Sequence, residues 1–139
     1  MSAAPGLYRD VVLEHGRRPR NVGPLASATH AAEGDNPLCG DSVRVEVERR
    51  GDVLARLAFA GESCILATAS ASLMTEELRG AHVDEARRRA AAMEALCSDG
   101  RGAADALGPL AAFADVHRHP ARIACALLPW RTLVRALGD

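Results

Sequence analysis

The chain of 139 residues is long enough for one ordinary domain with a single core, and its formal net charge of −1 sets 17 Arg against 18 acidic residues, with no Lys. That balance excludes an electrostatic footprint for nucleic acid or an anionic membrane, and the missing lysines exclude Schiff-base, P-loop and amine-nucleophile chemistry. Only Tyr8, Phe59, Phe113 and Trp130 are aromatic, too few for a base-stacking surface, while 28 Ala favour helices packed through small side chains.

Leu7, Tyr8, Val11, Val12 and His15 fall at helical spacing, which predicts a first helix from Leu7 to about Arg17. Pro19, Gly23 and Pro24 then punctuate the chain, and a loop is expected to run on to about Pro37. Val43, Val45 and Val47 alternate with Arg44, Glu46 and Glu48 in the manner of a half-buried strand. Gly51-Asp52 supplies a turn into a second alternation, Val53, Ala55, Leu57 and Phe59, which gives a hairpin. Gly61 to Leu66 reads as a third short strand.

From Ala67 the period becomes helical. Ala67 to Leu78 predicts one helix closed by Gly80, and His82 to about Cys97 a second, with Val83, Ala86, Ala90, Met93 and Cys97 on its apolar face. A weaker helix is expected over about Ala103 to Val116, interrupted at Gly108-Pro109. Pro120 suits the first turn of a final helix carrying Ile123, Cys125, Leu127 and Trp130. Pro129 should kink or end that helix, because its ring clashes with the carbonyl of Cys125. Strands first and helices afterwards predict an α+β fold, a small three-stranded antiparallel sheet with helices packed on one face.

No apolar run approaches the roughly 18–20 residues of a membrane helix, and no signal peptide opens the chain, so a cytoplasmic location is expected. Four cysteines in such a chain read as metal or redox groups before disulfides. No Cys-x-x-Cys pair exists, and any metal site must therefore be assembled from distant segments by the fold.

Three segments carry the chemistry. In Asn36-Pro37-Leu38-Cys39-Gly40-Asp41, extended backbone would put the Cys39 thiol and the Asp41 carboxylate on one side, able to share a cation. A turn with a chance cysteine fits as well. Cys64 stands immediately before a helix rich in small residues, where amide groups and the helix dipole favour a thiolate; a buried, apolar cysteine is the alternative. Arg122 lies one helical turn from Cys125, where its charge would favour a thiolate or steady an anionic persulfide; the alternative is a solvated Arg beside a core Cys.

Together these segments resemble the U-type iron–sulfur assembly family, to which SufU, IscU and the NifU N-terminal domain belong. The resemblance rests on Asn36 to Asp41, on Gly61 to Thr75 with its Ala-Ser-Ala-Ser run, and on Pro120-Ala121-Arg122-Ile123-Ala124-Cys125-Ala126. Tyr8-Arg9 through Pro19-Arg20-Asn21 also resembles the family's first helix and loop. The SufU branch fits better than the IscU branch. Cys64 and Cys125 are far enough apart for an extra helical segment, Ala124 stands where IscU-type chains carry His, and the lysine-containing chaperone motif is missing.

What the resemblance implies is one domain over residues 1–139 with a helical insertion at about 80–119. It implies zinc held by Cys39, Asp41, Cys64 and Cys125, with Cys39 accepting sulfur from a SufS-type cysteine desulfurase and Arg122 balancing charge nearby. Other iron–sulfur assembly proteins would be further partners. The alternative it leaves is an IscU-like scaffold on which the same residues hold a [2Fe–2S] cluster. The chain departs from the family at Ser63, where Gly is usual, at Pro129, and at Cys97, which has no family counterpart and is expected to pack. His117 and His119 lie in a polar connector, while His15, His30 and His82 carry no ligand spacing.

Overall fold

A computed structural model describes residues 9–101 and 107–138. In chain order these form α1 (Asp10–Arg17), β1 (His30–Asn36), β2 (Asp41–Arg50), β3 (Val53–Ala60), α2 (Ile65–Leu78) and α3 (Val83–Asp99). Two short 3-10 helices, Gly108–Phe113 and Val116–Arg118, lead into α4 (Pro120–Ala136). Of the expected first helix, Leu7 and Tyr8 lie outside the described residues, as does 103–106 of the weaker helix; the described part of the latter is α-helical at Leu107 and 3-10 over Gly108–Phe113.

The three strands form one antiparallel sheet in the order β1-β2-β3. Two corrections follow for the strand assignment. Residues 61–66 hold no strand: they are a short connector and the start of α2. The third strand is instead β1, inside the stretch read as a loop. Its sequence, His-Ala-Ala-Glu-Gly-Asp-Asn, has no large apolar residue and so shows no hydrophobic alternation. It is held by pairing with β2, from His30 opposite Val47 to Asn36 opposite Asp41.

Along β2, Asp41, Val43, Val45 and Val47 turn into the core while Ser42, Arg44 and Glu46 do not, the period-2 pattern of a sheet covered on one face. A bulge at Glu48/Arg49 shifts the β2–β3 register. It moves Leu54 to the buried face and leaves Val53 and Ala55 half-buried, where an unbroken alternation would have placed them inside.

Helices α2 and α4 pack together on the covered face. Nearly every residue of α2 is buried, including Ser70, Ser72 and Thr75, so its polar groups need internal partners. Ser70 Oγ donates to the Ala126 carbonyl at 2.6 Å and accepts from Trp130 Nε1 at 3.1 Å, which ties α2 to α4. Gly34 lets α4 lie directly on β1, since a Cβ there would collide with the Thr132 hydroxyl.

Pro129 neither ends nor interrupts α4, contrary to the sequence expectation. Beside it, the Ser70 hydroxyl of α2 donates to the Ala126 carbonyl, and the Thr132 hydroxyl donates to the Leu128 carbonyl one turn back at 2.7 Å. Tertiary packing thus overrides a local helix breaker. Trp130 is buried in the core, as its helical spacing predicts, and so are Cys97 and the rest of the α3 apolar face.

Candidate metal centre

Asn36 and Asp41 are paired across the last rung of the β1–β2 ladder, so Pro37-Leu38-Cys39-Gly40 is the loop of a hairpin. Both rung side chains are buried and all four loop residues are exposed. The loop is fastened to Asn36 three times. Its carbonyl accepts from the amides of Cys39 (3.2 Å) and Gly40 (2.9 Å), and its Oδ1 accepts from the Leu38 amide at 3.3 Å. Gly40 closes the turn at φ +75°, a conformation that costs other residues strain.

On the far side of the sheet edge, the connector from β3 to α2 presses against β2. A Cβ on Gly61 would run into the Ser42 carbonyl, and the Ser42 amide donates to the Glu62 carbonyl at 2.8 Å. This close approach sets Cys64 as the N-cap of α2, with its own amide donating to Asp41 Oδ1 at 2.8 Å. Cys125 arrives from α4 with no exposed surface.

The result is a cluster. Cys39 Sγ lies 3.1 Å from Cys125 Sγ and 3.2 Å from Asp41 Oδ2. One ligand atom from each of Cys39, Asp41 and Cys125 lies within 4.8 Å of the others. Asn36 Nδ2 donates toward both sulfurs, at 2.9 Å to Cys39 and 3.7 Å to Cys125. Sequence reasoning quoted Asn36 as part of a motif without giving it a role. Its role depends on the β1–β2 pairing, which carries no hydrophobic signal of its own on the β1 side.

Electrostatics agree with a cation site. Burial works to raise the Asp41 carboxyl, but the hydrogen bonds from the Cys39 thiol and the Cys64 amide outweigh it and hold the group below its usual range. Burial, then the neighbouring Cys39, Cys64 and Asp41, pushes the Cys125 thiol far up, so that two thiolates and a carboxylate at this spacing are not jointly stable without positive charge. Donor chemistry fits a zinc-type ion: thiolates at about 2.3 Å and a carboxylate oxygen at about 2.0–2.2 Å are its ordinary ligands, and the set needs only slight spreading to accept one.

The other expected residues are placed as follows. Cys64 stands beside this trio, with its amide on Asp41 and its Sγ accepting from the Ala67 amide at 3.5 Å. Arg122 is half-buried on the first turn of α4, one turn before Cys125. His117 bonds the Ala114 carbonyl through Nδ1 at 2.7 Å and packs on Gly100, and His15 is buried with Nδ1 2.7 Å from Ser72 Oγ. No histidine joins the metal-competent group found among the described residues. A broad apolar recess of about 420 Å³ between α3 and α4, lined in part by Ala90, Trp130 and Val134, contains none of the site residues. Pocket size therefore points away from the chemistry here.

A hairpin loop, a strand end and a helix interior bring two thiols and a carboxylate together; the class so defined is a small α+β domain whose Cys39, Asp41 and Cys125 could hold a metal ion. The chain belongs to the NifU-like N terminal domain family, which its residues 7–126 match, and so to the iron–sulfur cluster assembly proteins. It is 35% identical over 137 residues to the zinc-dependent sulfurtransferase SufU of Bacillus subtilis, covering 95% of this chain and 90% of that one. With the iron–sulfur cluster assembly scaffold protein IscU of Streptococcus pyogenes it shares 34% over 132 residues, 94% of this chain and 82% of the other. The crystal structure of FiSufU from Fervidobacterium islandicum AW-1 superposes with a TM-score of 0.89 at 30% identity, covering 94% of this chain and 96% of that one. Among the described residues, no helix is long and apolar enough to cross a membrane.

Proposed function

We propose that this protein is a zinc-dependent sulfur acceptor, which takes persulfide sulfur from a SufS-type cysteine desulfurase in the cytoplasm and passes it to other iron–sulfur assembly proteins. The observation that carries the reading is the contrast within the trio: Cys39 is exposed on a fastened loop, while Cys125 and Asp41 behind it are buried. The buried pair suits anchoring and the exposed thiol suits exchange. Likeness to a zinc-dependent sulfurtransferase over nearly the whole chain supports it further.

Cys39, Asp41, Cys64 and Cys125 would hold the ion, whose chemistry when bound is to keep the thiols deprotonated at neutral pH. Asn36 orients the two sulfurs through its amide, and the Cys64 amide fixes the Asp41 carboxylate so that Oδ2 faces Cys39. In the transfer step the Cys39 thiolate attacks the outer sulfur of the desulfurase persulfide. A bond forms between Cys39 Sγ and that sulfur, and the bond from it to the enzyme's cysteine breaks. The electron pair leaves with the enzyme as thiolate, so one persulfide replaces another with no net oxidation. Arg122, one turn from Cys125, would balance the charge of the anionic product.

Desulfurase turnover measured with this protein, zinc-loaded or stripped, tests the proposal. Stimulation by the zinc form, lost in Cys39→Ser, supports it; stimulation that survives Cys39→Ser refutes it. The second reading, a scaffold holding a [2Fe–2S] cluster on the same residues, draws on the comparable identity to IscU. Brown absorbance and bound iron in anaerobically purified protein would select it over a colourless zinc form.

A further inference from the structure

Leu38 is 94% exposed, and Val22, at 57%, is the one other large apolar side chain so presented among the described residues. Single exposed apolar residues are common and by themselves mean little. Leu38 differs in where it is held. It sits at the tip of the Pro37–Gly40 loop, immediately before the exposed Cys39, and its amide is fixed on the Asn36 side chain.

Consecutive Cα atoms are about 3.8 Å apart, so Leu38 stands next to the thiol that a partner's sulfur has to reach. The loop cannot fold that group back under itself while the Cys39 and Gly40 amides are bonded to the Asn36 carbonyl. Its two rung residues, Asn36 and Asp41, are buried and committed to the sulfurs. The apolar tip and the thiol are thus displayed on one short loop fastened to Asn36.

We infer that Leu38 is the docking anchor of the sulfur-transfer face: it inserts into an apolar recess on the cysteine desulfurase beside the persulfide-bearing cysteine, and so positions Cys39 for attack. This rests on the sulfur-acceptor reading. Leu38 is a positioning residue, since it touches the partner and not the transferred sulfur. Burying one leucine corresponds to about a 10- to 100-fold change in affinity.

Two readouts on the full-length zinc-loaded protein test it: binding to the desulfurase of the same organism by calorimetry, and turnover against concentration of this protein. Leu38→Ser should weaken binding and raise the half-saturating concentration at least about tenfold, with bound zinc and plateau turnover within about twofold. Leu38→Met, which restores apolar bulk, should recover most of the affinity. Unchanged binding by Leu38→Ser, beside a wild type that binds and stimulates, overturns the anchor and leaves the sulfur-acceptor reading standing. A wild type that neither binds nor stimulates overturns both. A Leu38→Ser change confined to self-association, seen by sedimentation, also overturns it, because the tip would then serve a second copy of the chain.

Discussion

Asn36 and Asp41 oppose each other across the β1–β2 ladder, and their side chains converge on the same thiol, at 2.9 Å and 3.2 Å from Cys39 Sγ. The rung that ends the hairpin is also the floor of the candidate metal centre. Strand pairing, rather than the loop's own residues, therefore sets where the Cys39 sulfur stands.

Removing the Asn36 amide should loosen that floor. Asn36→Ala deprives both sulfurs of a donor and the loop of the acceptor for the Leu38 amide. Partners that orient metal ligands are worth about 10- to 100-fold in metal affinity, and zinc retention should fall within that range. Competition against a chromogenic chelator measures it. Retention equal to wild type would show that the amide does not orient the ligands.

Ser70 holds α2 to α4 with one hydroxyl. In Ser70→Ala the Ala126 carbonyl and Trp130 Nε1 both lose their partner in the core. A cost of about 1–3 kcal/mol is expected from the stranded groups, read as a lowered urea midpoint at unchanged slope. Zinc content should not change, because the substitution touches no ligand.

His15 makes stability depend on pH. Burial first, and then the Arg20 charge, lowers its pKa below the ordinary 6.5, against a smaller opposing pull from Glu76, Glu14 and Glu77. The unfolded chain therefore takes up a proton before the folded one as pH falls. Stability contributed by the neutral ring is complete above 6.5 and is lost as pH drops from there through the lower, folded value. Melting temperatures between pH 7.5 and 5 should show this fall, and His15→Gln should flatten it.

Cys97 should be inert. Burial pushes its thiol up to about 12, and it is fully enclosed on α3. Alkylation of metal-stripped native protein at pH 8 should label Cys39 first and leave Cys97 unmodified until the chain is denatured. Early labelling of Cys97, seen by peptide mass mapping, would contradict its role as packing.

Much of this was legible in the sequence because the signals were local. The valine alternation of β2, the apolar face of α3 and the small-residue run of α2 each carry their own period. Strand β1 was missed because its side chains are small or charged and its only reason to be extended is β2 beside it. That omission hid the hairpin, and with it the role of Asn36. The apparent strand at 61–66 failed for the opposite reason: its apolar residues, Ile65 and Leu66, belong to the first turn of a buried helix, which a short window cannot tell from a strand. Pro129 misled because α4 is held by its packing against the sheet and α2, which no local rule connects to that proline. Cys39, Asp41 and Cys125 were legible as chemistry, and their convergence became visible only in the fold.

Location of the transferred sulfur tests the account most directly. The zinc-loaded protein would be incubated with the desulfurase and sulfur-35 cysteine for a single turnover, then digested without reductant and mapped. The label should lie on the peptide carrying Cys39 and be released by thiol reductant. Label on Cys64 or Cys125 instead, or equal labelling of Cys39→Ser, would contradict it.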